Sequence, residues 1–262
     1  MAGRIVWKRR VGAVLRLLPR SPSRRVVLLY HAIGPGPWAI DKGRFRAQMQ
    51  WLGASARLTS LEALLRSPPA ASLEVAITYD DGYASVHDQA LPELTAIGAT
   101  ATVYLNTGWI GDDTPRSSQP QLGHYPGESF MRWREVESLA KAGWNLGSHG
   151  VDHLDLSRES PDTCRDQLVR SRDEITRRTE NGCAHFAHPW GRSTPQLRAL
   201  VSECGYLFAA GGLHGPVPSN FDPLEFPRIN VDRDYSLDDF KAVVLGDWDY
   251  LRWVQRARRR AS

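Results

Sequence analysis

Residues 75–82 have the sequence Val-Ala-Ile-Thr-Tyr-Asp-Asp-Gly, an apolar run that ends in two adjacent carboxylates. A continuous apolar run without polar alternation predicts a strand covered on both faces, as in parallel sheets. The two aspartates are too polar to enter a core together, so we expect them at the end of this strand, where Gly82 allows a tight turn. An ordinary Asp-Gly surface turn is the competing interpretation.

Outward from this segment, strand patterns alternate with helix patterns in both directions. The other predicted strands are at residues 26–30, 101–105, 144–148, 185–188, 207–210 and 228–231. The predicted helices are at residues 42–53, 61–66, 84–97, 133–142, 161–180 and 194–204. Ser236 has the pattern of a capping box that begins a last helix. The alternation predicts an α/β architecture with parallel strands.

Polar residues follow several of these strands directly. His31 follows the first strand, Asp80 and Asp81 follow the second, and His149 and Pro189 follow two later ones. Because the active site of a barrel of alternating strands and helices lies at the carboxyl ends of its strands, we expect these residues to meet there.

Residues 148–153, Ser-His-Gly-Val-Asp-His, hold two histidines four positions apart. Two histidines at this spacing fit one face of a helical turn and can bind one ion, although a coincidental pair in a loop is the alternative. The metalloprotease pattern H-E-x-x-H is excluded because Gly150 occupies the position of the glutamate. With one aspartate the histidines make a set that leaves metal positions open for water and substrate, as a catalytic metal site requires. The metal would acidify the water, and the second aspartate would accept its proton.

Three motifs in this order resemble the polysaccharide deacetylase family, carbohydrate esterase family 4. Residues 78–82 are similar to its T-F-D-D-G motif, residues 148–153 to its S-H-T-x-x-H motif, and residues 186–191 to its F-A-Y-P-x-G segment. The resemblance extends over about residues 26–245. It implies a distorted (β/α) barrel of seven or eight parallel strands. It also implies removal of an N-acetyl group from an aminosugar with zinc, or with cobalt or nickel in its place.

The same resemblance implies a role for each matching residue. Asp80 is expected to be the general base. The metal ligands are expected to be Asp81, His149 and His153. The backbone N–H of Trp190, next to Pro189, is expected to hold the oxyanion of the tetrahedral intermediate. Among the tryptophans near strand ends and loops (Trp38, Trp109, Trp133 and Trp190), only Trp190 is expected to line the site.

The chain departs from the family pattern at the general acid. The late L-x-H motif of the family is missing, because no histidine follows His214. Residues 28–31, Leu-Leu-Tyr-His, resemble the subgroup that includes biofilm poly-N-acetylglucosamine deacetylases, in which the acid histidine comes early. His31 is therefore expected to be the acid, and a histidine satisfied by backbone bonds is the alternative. Arg228 is expected to orient Asp80, and His188, which replaces the usual Tyr or Arg, is expected near the site.

The basic residues are concentrated at the two ends. Residues 1–25 hold eight Lys or Arg and no acid, residues 252–260 hold five Arg and no acid, and the rest has a net charge of −9. We expect a basic N-terminal arm (1–25), a catalytic domain (26–250) and a basic C-terminal tail (251–262). The pattern of residues 4–18 is typical of a basic helix on a membrane surface. Solubilising, partly disordered ends are the alternative.

Other patterns exclude some functions. The cysteines, Cys164, Cys183 and Cys204, form no C-x-x-C pair and predict buried reduced thiols. No signal peptide and no run of about 20 apolar residues is found, so we expect a cytoplasmic protein, peripheral at the inner face of the membrane. No nucleic-acid partner is expected, because the domain has no basic stripe.

The sequence does not distinguish between several possible substrates. The expected partner is an N-acetylated polysaccharide, oligosaccharide or lipid-linked glycan. A deformylase of a lipid-linked sugar and a catalytically inactive carbohydrate-binding homologue are the alternatives.

Overall fold

The computed structural model describes residues 7–9, 11–12, 23–36, 39–112 and 129–261. Trp38, most of the loop predicted at residues 108–129 and most of the helix predicted at residues 4–18 lie outside the described residues. Strands and helices alternate along the described chain, as the sequence predicts.

The described residues form ten strands, eight of which belong to one sheet in which every pairing is parallel. The strands are β1 (Arg24–Tyr30), β2 (Ala32–Ile33), β3 (Ala39–Ile40), β4 (Arg57–Leu58), β5 (Leu73–Tyr79), β6 (Thr102–Leu105), β7 (Asn145–Ser148), β8 (His185–Ala187), β9 (Phe208–Ala210) and β10 (Ile229–Asn230). The sheet has the order β10-β1-β5-β6-β7-β8-β9, with β4 also paired to β5, and β2 pairs with β3 separately. The short strands β2, β3 and β4 are not predicted from the sequence.

Hydrogen bonds connect the two ends of this sheet order. The N–H of Phe226 donates to the carbonyl of Ala209 (3.1 Å), and the N–H of Gly211 donates to the carbonyl of Phe226 (2.9 Å). A few residues later, β10 pairs with β1 in the register Leu28 to Ile229. Residues 226–230 therefore lie between β9 and β1 and close the sheet. The expected distorted (β/α) barrel is confirmed.

The helices agree with the predicted segments at all but two places: residues 84–97 do not form one helix, and a further helix, Leu251–Ala261, lies in the segment expected to be a basic C-terminal tail. They are α1 (Lys42–Ser55), α2 (Leu61–Arg66), α3 (Leu91–Ala96), α4 (Trp133–Lys141), α5 (Pro161–Thr179), α6 (Pro195–Glu203), α7 (Leu237–Leu245) and α8 (Leu251–Ala261). The segment predicted as one helix at residues 84–97 begins instead as a π-helical turn, Val86–Ala90, before α3. The predicted capping box is confirmed, because Ser236 and Asp239 each accept the backbone N–H of the other at the start of α7.

The two faces of the sheet pack into different cores, because side chains alternate along each strand. The barrel interior is small and contains Val27, Ala76, Tyr104, Ala187 and Ala210, with Leu61, Leu64 and Leu65 of α2. The larger core lies between the strands and the outer helices. The interior residues support the polar residues at the carboxyl ends of the strands.

Several smaller predictions can be compared directly with the structure. β1 begins at Arg24, two residues before the predicted strand, so Arg24 and Arg25 are part of the sheet. The three cysteines are buried and unpaired, as expected. Within the described segments, no helix combines the length and apolar character needed to cross a bilayer.

Candidate active site

The two aspartates lie where β5 ends at the carboxyl end of the barrel. The backbone N–H of Asp80 donates to the carbonyl of Tyr30 (3.0 Å) and extends the pairing with β1 by one residue. Asp81 and Gly82 then turn sharply, with φ angles of 75° and 79°. A side chain at position 82 would meet Ile110 at 2.9 Å, so this turn requires glycine. Both carboxylates therefore lie at the end of the strand, at a tight turn that includes Gly82, as the sequence predicts.

The two histidines follow β7 in a loop and not on the helical turn that their spacing suggested, because Gly150 and His153 have positive φ angles. The N–H of His149 donates to the carbonyl of Leu105 (2.8 Å), and its ring Nδ1 lies 2.8 Å from the carbonyl of Ala187. Because a carbonyl only accepts, Nδ1 carries the proton and Nε2 keeps a free lone pair, the tautomer that a metal ligand needs. Burial lowers the pKa of His149 to about 4 despite the opposing charge of Asp80, so this ring is neutral at physiological pH.

Asp81, His149 and His153 bring three ligand atoms together, all within 4.8 Å of one another. Oδ1 of Asp81 lies 3.6 Å from Nε2 of His149 and 3.6 Å from Nε2 of His153. Ligand atoms bound tetrahedrally about 2.1 Å from one zinc ion lie about 3.4 Å apart. The donor set and its spacing therefore fit a divalent ion.

Asp80 is held on its other side by Arg228. Nη1 and Nη2 of Arg228 donate to Oδ1 and Oδ2 of Asp80 at 2.7 and 2.8 Å, and Nη1 also reaches Thr78 Oγ1 at 3.3 Å. Both side chains are buried. Burial alone would raise the pKa of Asp80, but the charges of Arg228 and His149 outweigh it and lower that pKa to about 2. Asp80 is therefore an ionised carboxylate at neutral pH.

His31 and Trp190 border this group. The register of Tyr30 with Tyr79 puts His31 next to Asp80, and its positive form lowers the pKa of that carboxyl. The ring of Trp190 is 56% exposed and lies 4.9 Å from the ring of His153.

Backbone strain is concentrated at this site. Four described non-glycine residues have positive φ: Asp81, His153, Glu180 and Trp190. Three of them are predicted site residues, and strained backbone of this kind persists where the surrounding structure holds it for function.

His188 is buried and contacts the segment before β10 and a phenylalanine of β8. Its Nε2 donates to the carbonyl of Leu224 (3.0 Å), and its ring packs edge-on against Phe186. Burial lowers the pKa of His188 to about 4, so the ring is neutral. The contacts join β8 to the segment that precedes β10.

Three residues near the site are not identified from the sequence. Asn106, directly after β6, donates to Oδ1 of Asp81 at 3.2 Å. Asn106 follows a strand directly, as the predicted site residues do, so its position in the sequence could have identified it. Trp109 packs 5.4 Å from the ring of His153, where Trp190 alone is expected to line the site.

Gln167 of α5 holds the loop between the two histidines. Its Oε1 accepts the backbone N–H groups of Val151 and Asp152 at 2.9 and 3.0 Å, and its Nε2 donates to the Asp152 carboxylate at 2.8 Å. No local pattern marks this glutamine, because its partners come from another segment.

Comparisons with known proteins agree with this geometry. The family model described as polysaccharide deacetylase matches residues 69–209. The Bacillus subtilis (strain 168) protein YxkH is 26% identical over 230 residues, which are 86% of this chain and 77% of that protein. The poly-beta-1,6-N-acetyl-D-glucosamine N-deacetylase of Staphylococcus aureus (strain MRSA252) is 20% identical over 225 residues, 81% and 72% of the two chains.

Solved structures show the same fold. The Streptococcus pyogenes deacetylase PplD in complex with acetate has a TM-score of 0.72 at 20% identity, covering 84% of this chain and 98% of that one. IcaB from Ammonifex degensii has a TM-score of 0.71 at 20% identity, covering 85% and 97%.

Proposed function

The chain belongs to the polysaccharide deacetylase family, and we propose that it is a metal-dependent hydrolase that removes the N-acetyl group from an aminosugar in a glycan. The observation that carries this proposal is the ligand set Asp81, His149 and His153 beside the ionised carboxylate of Asp80. The set offers two nitrogen atoms and one oxygen atom and leaves room for water and substrate. An inactive carbohydrate-binding homologue would need a ligand or a base to be missing, and both are present.

The three ligands would hold a divalent ion, which we propose is zinc, with cobalt or nickel as substitutes. Such an ion supplies Lewis acidity, because it polarises a carbonyl oxygen and lowers the pKa of water. Asn106 holds Asp81, and the carbonyl of Ala187 holds His149, so two of the ligands are oriented by bonds from neighbouring strands.

The protein's own residues divide the proton transfers between Asp80 and His31. Asp80 accepts the proton of the attacking water while Arg228 fixes its orientation. The backbone N–H of Trp190, at the turn that begins with Pro189, stabilises the oxyanion of the tetrahedral intermediate. His31 donates a proton to the sugar nitrogen as the C–N bond breaks. The products are acetate and a free amine.

The proposed substrate is a glycan that contains N-acetylglucosamine. The names of the Staphylococcus aureus relatives support this class, because they specify poly-beta-1,6-N-acetyl-D-glucosamine. The exposed ring of Trp190 beside His153 also supports it, since an apolar sugar face packs on an aromatic ring. A lipid-linked glycan and an N-formyl group offer the same amide bond to the same attack.

The test is acyl release by purified protein that has been stripped of metal and then given zinc, cobalt or nickel. Substrates are N-acetylglucosamine oligomers, lipid-linked N-acetylated sugars and their N-formyl counterparts. We expect acetate release that depends on the metal and falls roughly 10²–10⁴-fold in Asp80→Asn, because a general base contributes about that much. Metal content of this variant should stay at the wild-type level.

Asp166→Asn is the matched control, because this carboxylate lies on the exposed surface of α5. It should retain wild-type turnover. Metal bound with no acyl release from any substrate would indicate a binding protein. Full turnover in Asp80→Asn would remove Asp80 from its proposed role.

A further inference from the structure

The two basic ends of the chain, far apart in the sequence, meet on one side of the domain. The ring of Trp7 packs edge-on against Tyr250 with centroids 5.5 Å apart. The hydroxyl of Tyr250 donates to the carbonyl of Lys8 at 3.4 Å, and Nζ of Lys8 lies 3.4 Å from the hydroxyl of Tyr235. We define the terminal surface as residues 7–9 and 11–12 together with α8.

A charged pair fixes the N-terminal segment to the domain. Nε and Nη2 of Arg9 donate to the two oxygen atoms of Asp239 at 2.7 and 2.6 Å, at the start of α7. Gly12 packs so closely on Trp248 that a Cβ atom there would lie 2.6 Å from the indole nitrogen. The described part of the N-terminal segment is therefore a docked helix, and it carries its charge to the same place as α8.

Residues 1–25 and 252–260 together contain 13 Lys or Arg residues and no Asp or Glu. Arg9 and Arg24 pair with aspartates of the domain, and Arg25 is buried against backbone carbonyls. The other ten basic residues of the two ends belong to sequence segments that contain no acid. Such a cluster attracts an anionic surface.

Exposed aromatic rings lie within the same surface. Trp253 is 69% exposed and Trp7 is 49% exposed, and they are two of the four large apolar side chains exposed among the described residues. The guanidinium of Arg256 lies 5.8 Å from the ring of Trp253, and the spacing of three residues puts both on the outward side of α8. Tryptophan beside arginine on a helix is typical of proteins that insert rings at the headgroup level of a bilayer.

We propose that the terminal surface docks on an anionic phospholipid bilayer. The exposed tryptophan rings favour lipid over nucleic acid as the occupant, and the charge distribution places the contact at the terminal surface. A bilayer interface accepts apolar rings at any position, whereas a nucleic-acid duplex keeps its base faces stacked and presents phosphates, sugars and the mainly polar edges of its bases. The rest of the chain has a net charge of −9, so only a face that concentrates basic residues can approach a polyanion. The proposal is independent of the reaction at the active site.

The test measures co-sedimentation of the full chain with vesicles of pure phosphatidylcholine and vesicles of phosphatidylcholine mixed with phosphatidylglycerol. We expect binding to the anionic vesicles only, weakening as salt is added. Trp253→Ala and Trp7→Ala should each weaken binding roughly tenfold through lost apolar burial. Arg256→Gln should weaken it about fivefold.

Two matched controls change surface residues elsewhere. Leu207→Ala removes an exposed apolar side chain before β9, and Lys141→Gln removes an exposed charge on α4. Both should bind vesicles within about twofold of wild type, since neither side chain belongs to the terminal surface. Acetate release from soluble oligomers should be unchanged in all five variants, which shows that the fold is kept.

Three results would overturn the proposal. The full chain could stay in the supernatant with both kinds of vesicle. The two tryptophan variants could bind as tightly as wild type. Single-stranded DNA could bind with the same dependence on Trp253 while anionic vesicles do not, which would assign the terminal surface to nucleic acid.

Discussion

The barrel interior buries one arginine near each end, and the two are held by different partners. Arg25, at the amino end, is 4% exposed and donates to three backbone carbonyls at 3.1 Å each. Arg228, near the carboxyl end, is 3% exposed and donates both Nη atoms to the carboxylate of Asp80. Val27 and Tyr104 belong to the small core that lies between them.

The difference lies in what each arginine holds in place. The carbonyls around Arg25 belong to the end of α2, the residue that follows it and a later connecting segment, so this side chain joins backbone segments. Arg228 instead keeps a carboxylate ionised and directed at the ligand set. Burial opposes the charged form in both places: it lowers the pKa of Arg25, whereas at Arg228 the carboxylate of Asp80 outweighs burial and raises the pKa. We therefore expect the buried charge at the amino end to serve stability and the buried charge at the carboxyl end to serve the proposed reaction.

The largest effect is expected at His31, which lies beside Asp80 at the carboxyl end of the barrel. We expect His31→Gln to lower kcat roughly 10²–10⁴-fold, because a positioned general acid contributes about that much. Metal content, measured by atomic absorption, should stay at the wild-type value. His87→Gln changes a histidine outside the site and should keep wild-type turnover. Full turnover in His31→Gln would return this residue to a structural role.

The two arginines themselves give a matched pair of variants. Arg228→Lys keeps the charge but loses the planar two-point contact with Asp80, so kcat should fall about 10–100-fold. Arg25→Lys keeps three donors for three carbonyls, so activity should stay within about twofold and the free energy of unfolding should fall by about 1 kcal/mol. Kinetics and denaturant unfolding of both variants measure the contrast. Equal losses of activity in the two variants would contradict the division.

The two arginine variants should also differ in how their activity depends on pH. Burial raises the pKa of Asp80, and the charge of Arg228 brings it below its ordinary value, to about 2. A weaker partner leaves more of the burial effect in place, so this pKa rises in the variant. The acidic limb of the activity profile should therefore move to higher pH. Arg25→Lys should leave that limb where it is.

Gln167 is a smaller test, because it acts on the metal ligands through the loop. Gln167→Glu keeps an acceptor for the two backbone N–H groups but puts a second carboxylate against Asp152. We expect zinc affinity to fall roughly tenfold or more. The double variant Gln167→Glu, Asp152→Asn restores a donor opposite the carboxylate and should recover most of that affinity. A double variant as weak as the single one would show that the hydrogen bond is unimportant.

The sequence predicts those site residues that follow strands, because strand ends are visible in local hydrophobicity. Asp80, Asp81 and His149 follow clear apolar runs, and the motifs place His153 with them. Gln167 lies within α5, and its role depends on a loop 15 residues away that no helical pattern specifies.

The docking of the chain ends is harder to predict for the same reason. Arg9 and Asp239 are 230 residues apart, and each has an ordinary local pattern of its own. Periodicity predicts which residues are helical, but the partner of a polar face depends on how the whole barrel closes. The π-helical turn Val86–Ala90 is likewise missed, because its apolar spacing resembles that of an α-helix over so few residues.

The smallest effect is expected at Trp190, which lies at the exposed edge of the candidate active site. Its ring is half-exposed beside His153, so a sugar could pack on it without displacing any ligand. Trp190→Ala should raise KM about two- to tenfold, the range of a single aromatic contact, with kcat changed much less because the backbone N–H remains. Trp253→Ala removes a ring that is even more exposed, on α8, and should leave KM unchanged. If Trp190→Ala lowers kcat while KM stays constant, the ring acts on the backbone turn and does not bind the sugar.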